Sequence, residues 1–420
     1  MTASASPESA PLAGIRVLDL TSAVVGPYAA KILADYGAEV IKVESAEGDL
    51  IRWICGPSPT PGMSGKYLHL NRGKRSIVLD LKQTQGRAVV ARLLEQTDVL
   101  LINMRPKAVA RLGLSYADLA ALHPRLIHVS MVGFGPGPYR DKPAYDSIIQ
   151  GGAGMAALHE RASGTPRYVP MVIADRSVGL MTVNALMMAL FQRERTGRGQ
   201  AVEVPMFENM AALILSEHLY GASFDPPLTS PGDIRLLDAE SRPIKTLDGY
   251  ISITSNTDAQ AFALMAVIGR PELKDDPRFS TKPMRAKNSQ AFFRIRADEM
   301  AKRPSAEWLA RLEAADIPAL PYNSLEDLPG DPQIVASGLL KRTRHPSEGT
   351  VWDIGNPTTL SAYAPQPQRH APGVGEQSIE ILREASYTQS EIEALLAARV
   401  TLDGKAKTPQ APMPTATIPP

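Results

Sequence analysis

Short β-branched runs alternate with amphipathic helical runs through the first two hundred residues of the chain. Short strands that alternate with helices are typical of βαβ units, which place parallel strands in one sheet. The pattern therefore predicts an α/β fold with a doubly wound sheet. Strands are expected at residues 15–20, 39–44, 76–81, 98–103, 126–132 and 168–174, and helices at 27–36, 84–96 and 176–192.

The first strand-to-helix turn argues against a dinucleotide cofactor. Residues 21–27 read Thr-Ser-Ala-Val-Val-Gly-Pro, whereas a dinucleotide site normally carries Gly-x-Gly-x-x-Gly at this turn. Residues 133–138 read Gly-Phe-Gly-Pro-Gly-Pro after a later strand, but the prolines prevent the segment from opening directly into a helix. We interpret it as a loop that either brings backbone close to a ligand or is a plain turn.

A change of texture after residue 222 indicates a second domain. Pro and Gly crowd residues 226–232, which predicts a linker. A second series of strands and helices starts at residues 249–253. We therefore expect a large domain over 1–222, a smaller α/β domain over 223–328, a return to the large domain over 329–400 and a disordered, Pro-rich tail over 401–420.

Composition and charge exclude several classes of function. The 420 residues carry 45 basic and 44 acidic side chains, scattered along the chain, and thus no electrostatic footprint for nucleic acid. The start of the chain lacks a basic segment before an apolar one, and no uninterrupted apolar stretch approaches the roughly 18 residues of a membrane span. We expect a cytoplasmic protein without a membrane partner.

Metal chemistry is not indicated. A single cysteine, Cys55, rules out an internal disulfide and a cysteine-based metal cluster. The seven histidines do not form a metal-spaced pair. We expect no metal site.

Asp175 is the strongest candidate for chemistry. It ends the apolar run 168–174 and precedes the helical run 176–192. A carboxylate between a strand and a helix N-terminus is expected to stay ionised, because the helix dipole and free backbone N–H groups favour the anion. Such an anion is a potential nucleophile. Asp is also a favoured N-cap residue, so a plain helix cap is the alternative interpretation.

Several strings, in a fixed order across nearly the whole chain, resemble the family III CoA-transferases, the CaiB/BaiF family. The resemblance runs from about Pro11 to Val400, and its specificity lies in the order of the strings. They occupy residues 11–21, 26–27, 37–44, 71–76, 196–200, 269–273, 331–333 and 375–377.

This resemblance implies an acyl-CoA:carboxylate CoA-transferase with a large Rossmann-like domain, a smaller α/β domain and Asp175 as nucleophile. In the family, an aspartate that begins a helix attacks the acyl-CoA thioester and becomes a mixed anhydride, then an enzyme–CoA thioester, from which CoA passes to an acceptor acid. Coenzyme A is a substrate, and no cofactor is required. Glycines at 133–137 and 151–154 are candidate N–H donors to the oxyanion, or simply allow tight turns.

The family pattern also predicts which residues of the large domain hold CoA. Residues 79–82 should line the nucleotide end, and Tyr145 and Asp146 should lie by the pantetheine arm. The full set is Leu79, Asp80, Leu81, Lys82, Asn103, Met104, Arg105, Arg111, Tyr145 and Asp146.

Substrate choice is less well marked. Val24 and Ser45 stand where the formyl-CoA transferase branch has Gln and Arg, which argues against formate or oxalate. Val24, Val25 and Tyr28 indicate either an apolar acyl pocket or core packing. Succinyl-CoA or another dicarboxylic donor is suggested by how common such members are in the family.

Two other functions stay open. A 2-methylacyl-CoA racemase of this family moves an α-proton and needs a histidine in the loop at residues 135–146, which contains none; His159 is the nearest in sequence. A non-catalytic CoA-binding protein with the same fold is the third possibility.

The resemblance also implies a homodimer of two interlinked, ring-shaped chains, with acyl-CoA and a small carboxylic acid as substrates.

Overall fold

The computed structural model describes residues 10–363 and 368–405, and these divide into two compact units. The first unit takes the chain up to Ile149, Met171–Met210, and the chain from Leu339 onward; the second takes Gln150–Pro170 and Ala211–Gly338. The second unit thus extends on both sides of the range 223–328 expected for a small domain. It also includes an earlier segment, which is tied to it where Arg161 Nη1 donates to Pro231 O at 2.7 Å.

Six strands of the described chain form a parallel sheet in the first unit. Their order is β3-β2-β1-β4-β5-β6, so the sheet grows outward in both directions from β1. This is the doubly wound order that the sequence predicts. The strands are β1 (Arg16–Leu20), β2 (Glu39–Glu44), β3 (Lys74–Val78), β4 (Val99–Ile102), β5 (Ile127–Val132) and β6 (Ala201–Pro205).

Helices follow most of these strands and cover the sheet. In chain order they are α1 (Val25–Asp35), α2 (Ile51–Ile54), α3 (Gly65–Asn71), α4 (Thr84–Leu94), α5 (Pro106–Arg111), α6 (Tyr116–Leu119), α7 (Asp146–Gly152), α8 (Met155–Ser163), α9 (Ile173–Thr196), α10 (Met206–His218), α11 (Asp258–Val267), α12 (Lys282–Lys287), α13 (Ser289–Met300), α14 (Ser305–Ala314), α15 (Pro332–Ser337), α16 (Ser378–Glu384) and α17 (Gln389–Ala397). One core cluster joins β1, β3 and β4 to α4, α16 and α17 through residues such as Leu18, Ile77, Leu100, Val90 and Ile392.

The predicted strand at 168–174 is wrong. Residues 168–172 pair with no strand in the described chain, and α9 already begins at Ile173. Pro170 lacks the N–H that a central strand donates, which explains why an apolar run here does not join the sheet. The sixth strand is β6 instead, which the sequence did not predict.

The second unit has its own sheet and core. Strands β7 (Ile244–Lys245), β8 (Tyr250–Ile253) and β9 (Ala319–Pro321) pair antiparallel. Trp308 of α14 is buried there, and its Nε1 donates to Met300 O at 2.8 Å. Short 3₁₀ helices lie at Tyr220–Ser223, Pro271–Asp275 and Leu328–Gly330.

In the first unit, the folded part of the chain extends further towards the C-terminus than the sequence predicts. An antiparallel pair, β10 (Leu340–His345) and β11 (Gly349–Ile354), precedes α16. Thr401 is fully buried, and Gly404 N donates to Gly375 O at 3.1 Å, so residues 401–405 of the predicted disordered tail are folded onto this unit. The rest of that tail, 406–420, lies outside the described residues.

Helix α9 runs from the carboxyl ends of the sheet's strands to their amino ends. Its 24 residues rise about 36 Å. At its C-terminal end, Arg193 Nη1 pairs with Asp98 Oδ1 at 2.9 Å, just before β4, so this end lies at the amino edge of the sheet. Near its start, Gly179 lies so close to α1 that a Cβ there would be 3.0 Å from both Tyr28 Cδ1 and Val25 O. The N-terminal turn of α9 therefore lies at the carboxyl edge.

Length and composition alone would allow α9 to cross a membrane. Its mean hydropathy is 1.2 over 18 residues, of which 39% are buried. It is the one helix of the described residues that meets these limits. The core helix of a folded domain meets them equally well.

Candidate active site

The loops after β1 and β4 meet where the strand order of the sheet reverses. Asn103 follows β4, and its side chain bonds the backbone of Ser22 twice: Oδ1 accepts from Ser22 N at 3.1 Å and Nδ2 donates to Ser22 O at 2.8 Å. Ligands of doubly wound sheets bind in the crevice at this point. The predicted CoA contact Asn103 lies beside this crevice, and its amide joins the two loops.

A buried ion pair supports the loop after β1. Lys42 Nζ lies 2.8 Å from Asp49 Oδ2 and donates to Thr21 O at 2.8 Å, while Asp49 Oδ1 accepts from Ala23 N at 3.0 Å. Ala23 has a φ of +65°, a left-handed conformation that costs energy for a residue with a Cβ. The pair thus holds the loop in a conformation that the chain would not adopt alone.

A second buried ion pair lies beside the first. Lys74 Nζ contacts Asp19 Oδ2 at 3.0 Å, Pro27 O at 3.0 Å and Asn71 Oδ1 at 2.9 Å. Burial disfavours the charge of Asp19, but Lys74 and Lys42 outweigh it and lower the pKa of this carboxyl. A lysine within β2, a strand buried on both faces, was the sequence signal for this network, because such strands are normally apolar throughout.

Asp175 lies in the first turn of α9 and faces a second carboxylate. Its backbone N donates to Asp146 Oδ2 at 3.0 Å. Asp146 is the first residue of α7 and is only 8% exposed, while Asp175 is half-buried. Burial and then the negative charge of Asp146 raise the pKa of Asp175 to about 7, against the weaker opposing effects of Arg176 and Lys66.

The expected electrostatics of Asp175 are therefore wrong, and so is the interpretation of this residue as a helix cap. Val172 occupies the N-cap position, with no side-chain cap, and Asp175 is the third helical residue. The backbone N–H of Asp175, which would otherwise be available to an anion at the helix N-terminus, donates to the Asp146 carboxylate. Burial, and then the charge of Asp146, leave Asp175 partly protonated near neutral pH.

Two cations stand near this pair of carboxyl groups. The Arg176 guanidinium lies 4.4 Å from the centroid of the Tyr28 ring, and Lys66 projects from α3 near Asp175. Within residues 10–363 and 368–405, neither cation forms a salt bridge or hydrogen bond with a carboxylate. Sequence reasoning missed Lys66, because only the folding of α3 brings it near Asp175.

Two of the glycine N–H groups predicted as oxyanion donors, those of Gly135 and Gly154, are already bonded. Gly135 N donates to Glu208 Oε1 at 2.9 Å. Gly154 N donates to Gly151 O at 3.3 Å, and both residues belong to the second unit. Gly154 has a φ of +96° at the start of α8, which a turn requires.

The predicted CoA contacts lie after the carboxyl ends of their strands but differ in exposure. Residues 79–82 follow β3: Leu79 is buried in the core, and Asp80 accepts from Lys82 N at 3.0 Å. The other residues follow β4 and β5. Met104, like Leu81, packs against the core; Lys82, Arg105, Arg111 and Tyr145 are exposed; and Asp146 bonds Asp175.

The other candidate residues lie apart from this chemistry. Val24 and Val25 are buried, and Val24 belongs to a core cluster with Tyr67, so they are core residues. His159 lies on α8 in the second unit. In the described part of the chain, no group of three or more His, Cys, Asp or Glu side chains is placed to hold a metal ion.

Known proteins share this fold and sequence. The family model for CoA-transferase family III matches residues 12–378. A succinate–glutarate CoA-transferase of Agrobacterium fabrum is 34% identical over 383 residues, 89% of this chain and 95% of that protein. An acetyl-CoA:oxalate CoA-transferase of Acetobacter aceti is 33% identical over 386 residues, 91% of this chain and 97% of its own length.

Solved structures agree. The crystal structure of a CAIB/BAIF family protein from Brucella suis has a TM-score of 0.75 and 30% identity, covering 89% of this chain and 99% of that one. This chain therefore belongs to CoA-transferase family III, the CaiB/BaiF family, and is a CoA-transferase.

Proposed function

We propose that this enzyme moves CoA from an acyl-CoA to a carboxylic acid and that Asp175 is the nucleophile. The observation that carries the proposal is the half-buried Asp175 carboxyl in the first turn of α9, at the carboxyl edge of the sheet, with a pKa raised to about 7. A carboxylate with such a pKa is more basic, and thus more nucleophilic, than a solvated aspartate, yet it is still half ionised near pH 7.

The proposed reaction exchanges acyl groups without water. An oxygen of the Asp175 carboxylate attacks the thioester carbonyl, the C–S bond breaks, and CoA thiolate leaves a mixed anhydride on the enzyme. The thiolate attacks the Asp175 carbonyl carbon, which releases the donor acid and forms an enzyme–CoA thioester.

The second half reverses these events. The acceptor carboxylate attacks the enzyme thioester and forms a new mixed anhydride, and the thiolate then attacks the acceptor acyl carbon. Asp175 leaves as a carboxylate with the new acyl-CoA complete. Coenzyme A enters only as a substrate, and the cycle needs no metal or redox group.

We further propose dicarboxylic substrates. The printed names of the two relatives described above include succinate, glutarate and oxalate, all of which are dicarboxylic acids. Arg176 and Lys66 are cations near Asp175 without a carboxylate partner in the described chain, and a second substrate carboxylate would supply one. Arg176 is better suited, since its planar guanidinium can donate to both oxygens of a carboxylate while its face rests on Tyr28.

Covalent capture tests the nucleophile. The enzyme is mixed with a panel of acyl-CoAs, quenched with hydroxylamine, and the Asp175 peptide is examined by mass spectrometry for a hydroxamate. Asp175→Asn should bind CoA as wild type does but lose at least about 10³-fold in turnover and all label. Asp141→Asn is the matched control, because exposed Asp141 pairs only with the exposed Lys107.

Other results would replace the proposal. Retained turnover in Asp175→Asn rules out this nucleophile. Exchange of the α-proton of a 2-methylacyl-CoA with solvent, without label on Asp175, would establish the racemase. CoA binding with neither activity would leave a non-catalytic CoA-binding protein.

Substrate recognition is tested by a ratio of rates. With Arg176→Gln, the ratio of kcat/KM for glutarate to that for butyrate should fall at least about tenfold, the worth of one charge-assisted hydrogen bond. Arg176→Lys should recover part of the ratio. An unchanged ratio would contradict recognition by Arg176.

We also propose a cytoplasmic homodimer, in which the two chains are interlinked. The outward side of α9 exposes Leu180, Met188 and Phe191, each more than half exposed. A second copy of this chain is the partner implied by the family resemblance, and such a surface would be covered by it. Light scattering should give a dimer that dilution does not dissociate, and a monomer would contradict the proposal.

A further inference from the structure

The carboxylate of Asp146 binds the backbone of the nucleophile rather than standing free in the site. Its Oδ2 accepts the N–H of Asp175 at 3.0 Å, across 29 residues of sequence. Asp146 is 8% exposed, at the start of α7. Because α9 lacks a side-chain cap of its own, Asp146 takes that part from another helix.

We infer that Asp146 is a positioning residue of the transfer reaction, which fixes the first turn of α9 through the backbone N–H of Asp175 and places a negative charge beside the Asp175 carboxyl. The inference rests on the proposed role of Asp175. It assigns Asp146 a function separate from contact with the pantetheine arm.

The arrangement gives the two carboxyl groups different environments. Asp146 Oδ2 accepts a backbone N–H from the first turn of α9. The Asp175 carboxyl lies half-buried in the first turn of the same helix, where burial and then the charge of Asp146 raise its pKa. Enzymes that use paired carboxyl groups separate their roles in this way.

The charged groups around Asp175 act on its pKa together with burial. The charged groups that act on Asp175 are Asp146 on α7, Arg176 on α9 itself and Lys66 on α3. From α1, Tyr28 carries the Arg176 guanidinium on its ring face. Burial and Asp146 raise the pKa of Asp175, and the two cations lower it. Asp146 is thus the one charge among them that holds the proton on the nucleophile.

The pH dependence of hydroxamate formation at Asp175 tests the inference, measured by single-turnover quench with succinyl-CoA. In wild type, the rate should rise with pH with a midpoint near the pKa of Asp175, about 7. Asp146→Asn keeps an oxygen acceptor for Asp175 N but removes the charge, so the midpoint should move to lower pH by about one unit. Asp146→Ala, which also lacks the acceptor, should move the midpoint equally and lower the plateau rate.

The controls separate this inference from the proposed nucleophile. Asp141→Asn should leave the midpoint in place, because exposed Asp141 pairs with Lys107 at 2.8 Å and is not among the groups that act on Asp175. Label in Asp175→Asn would overturn the nucleophile itself. Loss of label in Asp175→Asn, with an unmoved midpoint in Asp146→Asn, would overturn only the role of Asp146. If Asp146→Asn does not fold, Asp146→Ser offers a second neutral acceptor and is subject to the same outcomes.

Discussion

Charged side chains are arranged in opposite ways at two places along the carboxyl edge of one sheet. Under the loop after β1, Asp19 and Asp49 each face a lysine and are fully covered. At the start of α9, Asp175 faces another carboxylate and is half-buried. The first arrangement satisfies every charge and shapes a loop; the second leaves one carboxyl in an unfavourable environment. The first arrangement therefore stabilises the fold, and the second contains the proposed nucleophile.

The largest effect is expected from breaking a buried ion pair. Lys74→Met leaves Asp19 buried beside only the more distant Lys42, which should lower the free energy of unfolding by about 3–5 kcal/mol. Urea unfolding measures it. The double variant Asp19→Leu with Lys74→Met should recover at least half of that loss, because no unpaired charge remains. A loss below about 1 kcal/mol in the single variant would place the pair among weak surface interactions.

Removing the Asp175 carboxyl should instead raise the free energy of unfolding. The pKa of Asp175 is about 7 in the folded chain, against an ordinary value of 3.8, so the folded chain binds more protons between these limits and loses stability as pH rises through them. Asp175→Asn has no such loss. It should equal wild type near pH 4 and exceed it by about 1–3 kcal/mol above pH 7.

Thermal unfolding of the Asp175→Asn variant at pH 4 to 8, beside Asp141→Asn, measures this difference. A constant offset across that range would show that the amide changes packing and not charge. A variant less stable than wild type at pH 8 would contradict the raised pKa of Asp175.

A smaller effect separates two roles for Asn103. Its side chain joins the loops after β1 and β4 through Ser22. Asn103→Ala should therefore cost about 1–2 kcal/mol of unfolding free energy through two lost hydrogen bonds, in addition to any change in KM for acyl-CoA. A higher KM with unchanged stability would favour direct contact with CoA instead.

The smallest effect is expected at the surface. Lys107 and Asp141 form an ion pair at 2.8 Å, but their side chains are 77% and 57% exposed. Lys107→Ala should change stability by less than about 0.5 kcal/mol, because solvent screens such pairs. A change as large as that of Lys74→Met would show that burial does not distinguish the two kinds of pair.

The strands of the sheet were predictable where both faces are buried. All four residues of β4 are buried, and its uniform apolar run marks it in the sequence. Strand β6 has Glu203 at its centre and exposed positions, so it lacked that signal. The run at 168–174 is also apolar, but it contains Pro170, which cannot donate a backbone hydrogen bond to a neighbouring strand.

The nucleophile candidate was accessible from the sequence, but its chemistry was not. Asp175 lies between an apolar run and a helix, which are local features. Asp146 and Lys66 approach it only through tertiary packing of α7 and α3. The expectation of an ionised Asp175 failed because burial, and then the charge of Asp146, raise its pKa, and neither can be read from the local sequence.

Helix α9 joins Asp175, the proposed nucleophile, to a distant anchor. It rises about 27 Å between Asp175 and Arg193, at about 1.5 Å per residue, and Arg193 is held by Asp98 at the opposite edge of the sheet. A packed helix moves along its axis as a nearly rigid rod. Laboratory evolution of this transferase therefore has a route that never alters the substrate pocket: substitutions around Arg193 and Asp98 would shift the nucleophile relative to its acyl donor from the far side of the domain.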